Sequence, residues 1–260
     1  MSDSHILFRL DDQTAILTIN REPQRNALSA EAIDLLHAHL DRIQGDTAVR
    51  VVLLTGAGEK AFCTGADLGG GAVPTDGAHT PAAFLEYARL LKRIYNFPKP
   101  TVAKVRGFCL AGGMGLMMAC DIVLAEETSR FGTPEVNVGL FPMMIGALIF
   151  RNVLRKKAME MVLTGRMLDA AEAESLGLIT RSVPADQLDG AVAQVLQSLC
   201  AKSPIGLRIG KDAFYTMADM PFGQAVDYLA DQLFAVARTQ DAKEGLRAFM
   251  EKRKPVFTGE

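Results

Sequence analysis

Short runs of apolar residues alternate along the chain with longer segments in which apolar residues recur every three or four positions. Residues 6–10 and 14–19 are β-type runs separated by three polar residues, a pattern typical of an opening hairpin. The next segment predicts an amphipathic helix with Ser29 as its N-cap, extending to about Gln44. Its apolar side is formed by Ile33, Leu36, Leu40 and Ile43.

Continuous apolar runs at residues 51–54, 101–105 and 121–125 predict buried strands, the first of them in a parallel position. Helices are expected at residues 81–95 and 112–120, and residues 69–81, rich in Gly, Pro, Thr and Asp, are expected to form a mobile surface loop. Beyond Pro142 the pattern is mostly helical, with one late strand at residues 178–183. The predicted later helices are residues 146–153, 156–164, 170–175, 185–201, 204–217, 221–239 and 241–252.

Two segments of the chain echo each other. Residues 51–68 and 101–116 both pass from an apolar strand through Phe-Cys into a turn that contains glycine. The first turn contains Gly65-Ala66 and the second contains Gly112-Gly113. Two similar turns indicate two similar backbone arrangements.

Composition limits the class of protein. The 260 residues carry 30 acidic and 28 basic side chains, so the chain has no broad positive field for nucleic acid or an anionic membrane surface. This length suits one α/β domain of barrel or layered type, with or without a small appendage. The apolar runs are too short to cross a bilayer, and we expect a cytosolic protein. Widely spaced cysteines predict buried reduced thiols at Cys63, Cys109, Cys120 and Cys200.

The glycine turns are candidates for binding a negatively charged oxygen. Gly112-Gly113 lies where a strand and turn give way to a helix, so free backbone N–H groups there could point at an anion. Tight packing of the helix on the sheet is the alternative explanation for these glycines. The echo at Gly65-Ala66 favours two donors aimed at one carbonyl oxygen, as in an oxyanion hole.

The sequence lacks the nucleotide-binding Gly-x-Gly-x-x-Gly and Gly-Lys-Ser/Thr signatures and the Gly-x-Ser-x-Gly nucleophile elbow. Its four histidines lie near the amino terminus, on a helix face and in the predicted loop, which leaves a carboxylate as acid or base. Glu135 follows Thr133-Pro134 in an apolar neighbourhood, and burial there would raise its pKa into a useful range. Capping of the turn, or an ion pair with Arg130, would explain Glu135 equally well.

An ordered set of motifs along nearly the whole chain resembles the enoyl-CoA hydratase/isomerase superfamily, also called the crotonase family. The motifs are residues 20–28 (NREPQRNAL), 61–68 (AFCTGADL), 107–113 (GFCLAGG), 120–121 (CD), 131–135 (FGTPE), 139–142 (GLFP), 163–165 (LTG), 171–173 (AEA), 176–178 (LGL) and 251–254 (EKRK). The resemblance implies a crotonase-like α/β core of repeated ββα units over residues 1–200. It also implies a helical region at residues 201–260 that builds homotrimers or homohexamers.

The resemblance further implies an acyl-CoA thioester as the ligand, with CoA as part of the substrate and neither a metal nor another cofactor. The backbone N–H groups of Ala66 and Gly112 would hold the thioester oxygen, and Glu135 would be the catalytic carboxylate. Lys252 would approach the nucleotide phosphates from a neighbouring subunit, unless it is simply solvated. The other residues implied in substrate binding are Gln24, Arg25, Ala27, Thr64, Gly65, Asp67, Leu68, Gly113 and Pro134.

One departure from the family pattern concerns catalysis. Hydratases of the family carry two glutamates; the second corresponds to Glu135, but the first falls on Gly115. By overall resemblance the expected activity is enoyl-CoA hydratase, adding water to 2-enoyl-CoA. One carboxylate also suffices to move a proton from C2 to C4, so a 3-enoyl to 2-enoyl-CoA isomerase is the alternative. A catalytically weak acyl-CoA-binding subunit is a third possibility.

Overall fold

The computed structural model describes residues 4–67 and 82–260, so Leu68 and the predicted loop at residues 69–81 lie outside the described residues. The strands are β1 (Ile6–Asp11), β2 (Thr14–Ile19), β3 (Val51–Gly56), β4 (Ala61–Cys63), β5 (Thr101–Val105), β6 (Phe108–Leu110), β7 (Ile122–Glu126), β8 (Arg130–Gly132), β9 (Leu168–Asp169) and β10 (Arg181–Val183). The helices are α1 (Ala30–Gly45), α2 (Ala82–Tyr95), α3 (Gly112–Met118), α4 (Met143–Asn152), α5 (Arg155–Thr164), α6 (Ala170–Ser175), α7 (Leu188–Cys200), α8 (Pro204–Met217), α9 (Phe222–Ala237) and α10 (Gln240–Met250).

A six-stranded sheet in the order β1-β2-β3-β5-β7-β10 forms the centre of the fold. The predicted hairpin is confirmed, since β1 and β2 pair antiparallel, whereas the remaining neighbours pair parallel. Successive side chains of a strand point to opposite faces, and both faces are covered here. Val52 and Leu54 enter the main core, while Val51 and Leu53 pack with Leu188 of α7 in a second cluster. Burial on both sides explains the uninterrupted apolar runs of these strands.

A second sheet, which has the order β4-β6-β8-β9, is not evident from the pattern of apolar residues. Its strands have two or three residues, too few to show an alternating pattern. The two echo segments are neighbours in this sheet, where β4 pairs parallel with β6 and Cys63 lies opposite Cys109. Each repeating unit contributes one strand to the large sheet and one to the small sheet before its helix, as in β3-β4-α2, β5-β6-α3 and β7-β8-α4. The predicted ββα repeat is therefore confirmed.

All ten predicted helices are present in the described residues, and most of them have shifted ends. Helix α1 begins where expected, because the Ser29 hydroxyl accepts the N–H of Ala32 at 3.1 Å. The helix expected at residues 146–153 begins at Met143, directly after Pro142. The strand expected at residues 178–183 is shorter, being confined to β10, although Leu178 and Ile179 are buried. Their burial accounts for the apolar pattern without a strand.

The cysteines are free thiols, as predicted. Cys63, Cys109 and Cys120 are buried and Cys200 is half-buried. Burial raises the pKa of Cys63 and that of Cys120 to about 12, so both remain protonated at neutral pH. In residues 4–67 and 82–260, no helix is long and apolar enough to cross a membrane.

Candidate active site

The two glycine turns lie against each other at the carboxyl ends of β4 and β6. Gly65 has a positive φ of +95°, and a β-carbon at this position would lie 2.7 Å from the Ala111 Cβ and 3.1 Å from the Gly112 nitrogen. Such close approach is possible only for glycine. The parallel pairing of β4 with β6 therefore brings together the turns that the sequence echo identified.

Each turn contains one of the two backbone N–H groups expected to hold the thioester oxygen. Leu28 forms an isolated parallel bridge with Ala66, in which the Asp67 N–H donates to the Leu28 carbonyl at 2.9 Å and the Gly65 carbonyl accepts the Leu28 N–H at 2.7 Å. Because neighbouring peptide groups in extended backbone face opposite ways, the N–H of Ala66 points away from Leu28. Gly112 is the first residue of α3, and an N–H group in the first turn of a helix has no acceptor within that helix.

Adjacent glycines of the second turn have different surroundings. A β-carbon at position 113 would overlap the carbonyl group of Cys63, so Gly113 permits the close contact of α3 with β4. A β-carbon at Gly112 would meet the Tyr87 hydroxyl at 3.3 Å and the Gly65 Cα at 3.5 Å. Tight packing, the simpler interpretation of both glycines, thus applies to Gly113.

Glu135 lies in a short 3-10 helix, Pro134–Val138, that follows β8. Its Oε2 atom is buried and has no hydrogen-bond partner among the described residues. Burial raises the pKa of Glu135, and a backbone hydrogen bond within the residue opposes that shift. The alternative ion pair is not formed, since the Arg130 guanidinium donates to the carbonyls of Thr128 and Ser129 at 3.3 and 3.1 Å. A desolvated carboxylate without a cationic partner is suited to accept a proton.

The loop before α1 is held by polar side chains. Arg21 pairs with Asp67 at 2.7 Å, and both side chains are largely buried. Asn26, fully buried, donates to the carbonyls of Ala57 and Ala61 at 2.9 and 2.6 Å. These bonds fix the backbone that leads to the bridge between Leu28 and Ala66. Asp67, predicted to bind substrate, therefore anchors this loop in the structure.

Other predicted binding residues surround the first turn. Thr64 donates its hydroxyl to the Arg25 carbonyl at 3.2 Å, and the Arg25 guanidinium lies 5.8 Å from the ring centroid of Phe108. Gln24 and Arg25 are exposed, whereas Ala27 is buried. An exposed rim beside the glycine turns is consistent with a binding surface for a large ligand.

Lys252 is exposed and follows α10, which packs against α8 and α9. The structure thus carries Lys252 on the carboxyl-terminal helices. Within residues 4–67 and 82–260, no group of three or more His, Cys, Asp or Glu side chains is arranged to hold a metal ion.

Tyr87 on α2 is a further residue of the site that the sequence pattern did not identify. Its hydroxyl donates to the Gly112 carbonyl at 2.5 Å, which places it at the second glycine turn. Tyr87 follows the same helical spacing as the buried Leu90, Leu91 and Ile94, and so resembles an ordinary core residue in the sequence. The signal that could have identified it is a buried side chain with a polar tip, which requires a partner.

Comparisons with known proteins identify the family of this chain. Residues 11–260 match the family model described as enoyl-CoA hydratase/isomerase. A Thermus thermophilus protein provisionally named an enoyl-CoA hydratase is 39% identical, over 94% of this chain and 96% of the relative. The crystal structure of an enoyl-CoA hydratase from Bacillus anthracis has a TM-score of 0.94 at 31% identity, covering 98% of this chain and all of the other. One from Mycobacterium smegmatis has a TM-score of 0.92 at 31% identity, covering 98% and 99%. The chain therefore belongs to the enoyl-CoA hydratase/isomerase family.

Proposed function

We propose that this protein is an enoyl-CoA hydratase that adds water across the C2–C3 double bond of a 2-enoyl-CoA thioester, with Glu135 as the proton carrier. The observation that carries the proposal is the buried, unpartnered Oε2 of Glu135. A carboxylate in this state accepts a proton from water more readily than a solvated one, because its pKa is raised. The same group then returns the proton at C2.

The thioester oxygen becomes negatively charged as water adds to C3. The N–H groups of Ala66 and Gly112 receive this charge, which supports an enolate without a metal ion. The CoA moiety enters as part of the substrate. Around it we assign a binding set of Gln24, Arg25, Ala27, Thr64, Gly65, Asp67, Leu68, Gly113 and Pro134, with Lys252 supplied by a neighbouring subunit. Assembly as a homotrimer or homohexamer and a cytosolic location remain predictions.

Gly115 favours a second candidate, the 3-enoyl to 2-enoyl-CoA isomerase. The residue has no titratable group, so Glu135 is the only one of the two family carboxylates in this chain. An isomerase needs to move one proton from C2 to C4 and has no water to hold. One carboxylate and two N–H donors meet that requirement.

Product analysis in heavy-oxygen water separates the two reactions. The purified protein is offered short and medium 2-enoyl-CoA and 3-enoyl-CoA substrates, and products are followed by mass spectrometry. A hydratase places heavy oxygen on the β-carbon of the 2-enoyl substrate. Conversion of the 3-enoyl substrate without oxygen uptake would contradict the hydratase proposal and show that the protein is an isomerase.

The Glu135→Gln variant tests the role of the carboxylate in the same assay. We expect turnover to fall by about 100-fold or more, since removal of a positioned acid–base group has effects of this order. Binding of a saturated acyl-CoA should persist. An unchanged rate would contradict the role given to Glu135, and a wild-type protein that binds acyl-CoA without turning it over would be a binding subunit.

A further inference from the structure

The position of the missing family glutamate is occupied by a side chain from another element. Gly115 is buried on α3, and a β-carbon there would overlap the Tyr87 hydroxyl. It would also lie 2.5 Å from Ile145 Cγ2 and 3.3 Å from Leu91 Cδ2. A glutamate at position 115 is therefore incompatible with Tyr87 in its present place. The absence of a side chain at Gly115 leaves the space that the Tyr87 hydroxyl occupies.

The Tyr87 hydroxyl is fixed beside the oxyanion turn. It uses its single proton in the 2.5 Å bond to the Gly112 carbonyl, which leaves oxygen lone pairs able to accept a hydrogen bond. Burial is the largest cause of the raised pKa of Tyr87, and the phenol stays neutral at physiological pH. The charge of Glu135 is a smaller cause of the same shift.

We propose that the Tyr87 hydroxyl replaces the carboxylate missing at position 115 and holds the reacting water against Glu135. This inference rests on the proposed hydratase function. One O–H of the water points to Glu135 Oε2 and the other to Tyr87 Oη. Two acceptors on one water orient its lone pair for attack, which lowers the entropic cost of the step.

The reaction balances with these groups alone. Glu135 takes one proton from water while the water oxygen bonds to C3. The C2–C3 π electrons move onto the thioester oxygen, held by the N–H groups of Ala66 and Gly112. Collapse of the enolate takes the proton from Glu135 to C2, and Tyr87 keeps its own proton throughout. The catalytic role of Tyr87 is thus to position water and not to transfer a proton.

Two assays on one variant separate this role from a structural one. The first is hydration of a 2-enoyl-CoA; the second is exchange of the C2 protons of a saturated acyl-CoA in D2O, which needs Glu135 and the oxyanion donors but no attacking water. In Tyr87→Phe we expect kcat for hydration to fall about 10- to 100-fold with KM changed less than about threefold. Exchange should stay within about threefold of the wild-type rate.

Tyr95→Phe is the matched control, because Tyr95 lies on the same helix and packs on Tyr215 of α8 at 4.2 Å between ring centroids. It loses the same phenolic oxygen outside the site and should retain both activities. A Tyr87→Phe variant that hydrates within threefold of wild type would overturn the proposal. So would an equal loss of hydration and exchange, since that result would mean that Tyr87 acts only by holding the Gly112 turn.

A triple variant tests the replacement itself. Gly115→Glu alone should abolish hydration because its side chain overlaps Tyr87 and Ile145, whereas Gly115→Glu combined with Tyr87→Ala and Ile145→Ala makes room for a carboxylate. We expect the triple variant to hydrate at least tenfold faster than Tyr87→Ala combined with Ile145→Ala, and a folded triple variant with no gain would contradict the replacement of the carboxylate by Tyr87. Failure of the hydratase function is distinguishable, because wild type would then incorporate no heavy oxygen, or Glu135→Gln would keep both activities.

Discussion

At the scale of single residues, Glu135 differs from the other perturbed carboxyl groups in the described part of the chain. Hydrogen bonds to partners such as Arg166 and Arg253 lower the pKa values of Glu172 and Glu244, whereas burial raises that of Glu135. An ionised carboxylate without a partner destabilises the folded state. The burial of the Glu135 carboxyl group without a partner is therefore useful for proton transfer and unfavourable for stability.

Stability should depend on pH through this residue. The folded-state pKa of Glu135 is raised above its unfolded value, so its contribution to stability is fully present below the unfolded value and is lost as the pH rises through the folded value. Replacing Glu135 by Gln removes the charge, so we expect Glu135→Gln to melt at a higher temperature than wild type at pH 8. The difference should vanish at pH 4. Thermal unfolding by circular dichroism at both pH values tests this, and a variant less stable at pH 8 would contradict it.

Residue chemistry could be predicted from the sequence where local neighbours determine it. Glu135 lies in an apolar segment, and both turns follow a Phe-Cys pair and contain glycine. Each of these features can be recognised from about ten consecutive residues. Tyr87 was missed because its partner, Gly112, is distant in sequence. Nothing in the spacing of α2 distinguishes a residue that contacts the active site from one that fills the core. That distinction depends on tertiary contact.

At the scale of elements, the contact between α3 and β4 determines where the Gly112 N–H lies. Gly113 allows this contact, because any side chain there would meet the backbone carbonyl of Cys63. Backbone cannot move aside as a flexible side chain can, so α3 would have to shift away from the sheet. Such a shift of α3 would also move the N–H group of Gly112, the neighbouring residue, in the active site.

We expect Gly113→Ala to lose both stability and activity. Overpacking at a rigid contact costs about 1–3 kcal/mol, and displacement of α3 should lower turnover as well. Gly190→Ala on α7 is the matched control, because a β-carbon there meets nothing within 4 Å. That change should leave turnover unaltered and increase stability by about 0.4–1 kcal/mol. Urea unfolding and hydration rates measure both effects, and a fully active Gly113→Ala protein would show that the contact tolerates a side chain.

The helices and the strands of the large sheet were predictable from the sequence. Helices such as α1 and α8, and the long strands of the large sheet, were located correctly because their apolar residues repeat over several turns or fill whole strands. The small sheet was not predicted, because three-residue strands such as β4 and β6 are too short to show an alternation of apolar and polar residues. Its existence depends on pairing between distant segments, which propensity does not encode.

At the scale of the whole molecule, the carboxyl-terminal helices leave large apolar side chains exposed. On α10, Leu246, Phe249 and Met250 are separated by three and four positions, so they share one side of the helix. Phe249 is 83% exposed, and Phe222 and Phe234 on α9 are 85% and 65% exposed. An apolar surface of this kind is typical of a protein interface. It supports the prediction that residues 201–260 assemble the trimer.

Phe249→Glu should therefore disrupt assembly. A charge at the buried centre of an interface has no solvent and no partner, so association becomes unfavourable. We expect light scattering after gel filtration to give a trimer or hexamer for wild type and a smaller species for Phe249→Glu. Ala38→Glu, on the exposed side of α1, adds the same charge elsewhere and should keep the wild-type mass. If Lys252 reaches the substrate of a neighbouring subunit, dissociation should also raise the KM for the thioester more than it lowers kcat. A monomeric wild-type protein, or a Phe249→Glu variant with wild-type mass, would assign these apolar residues another role.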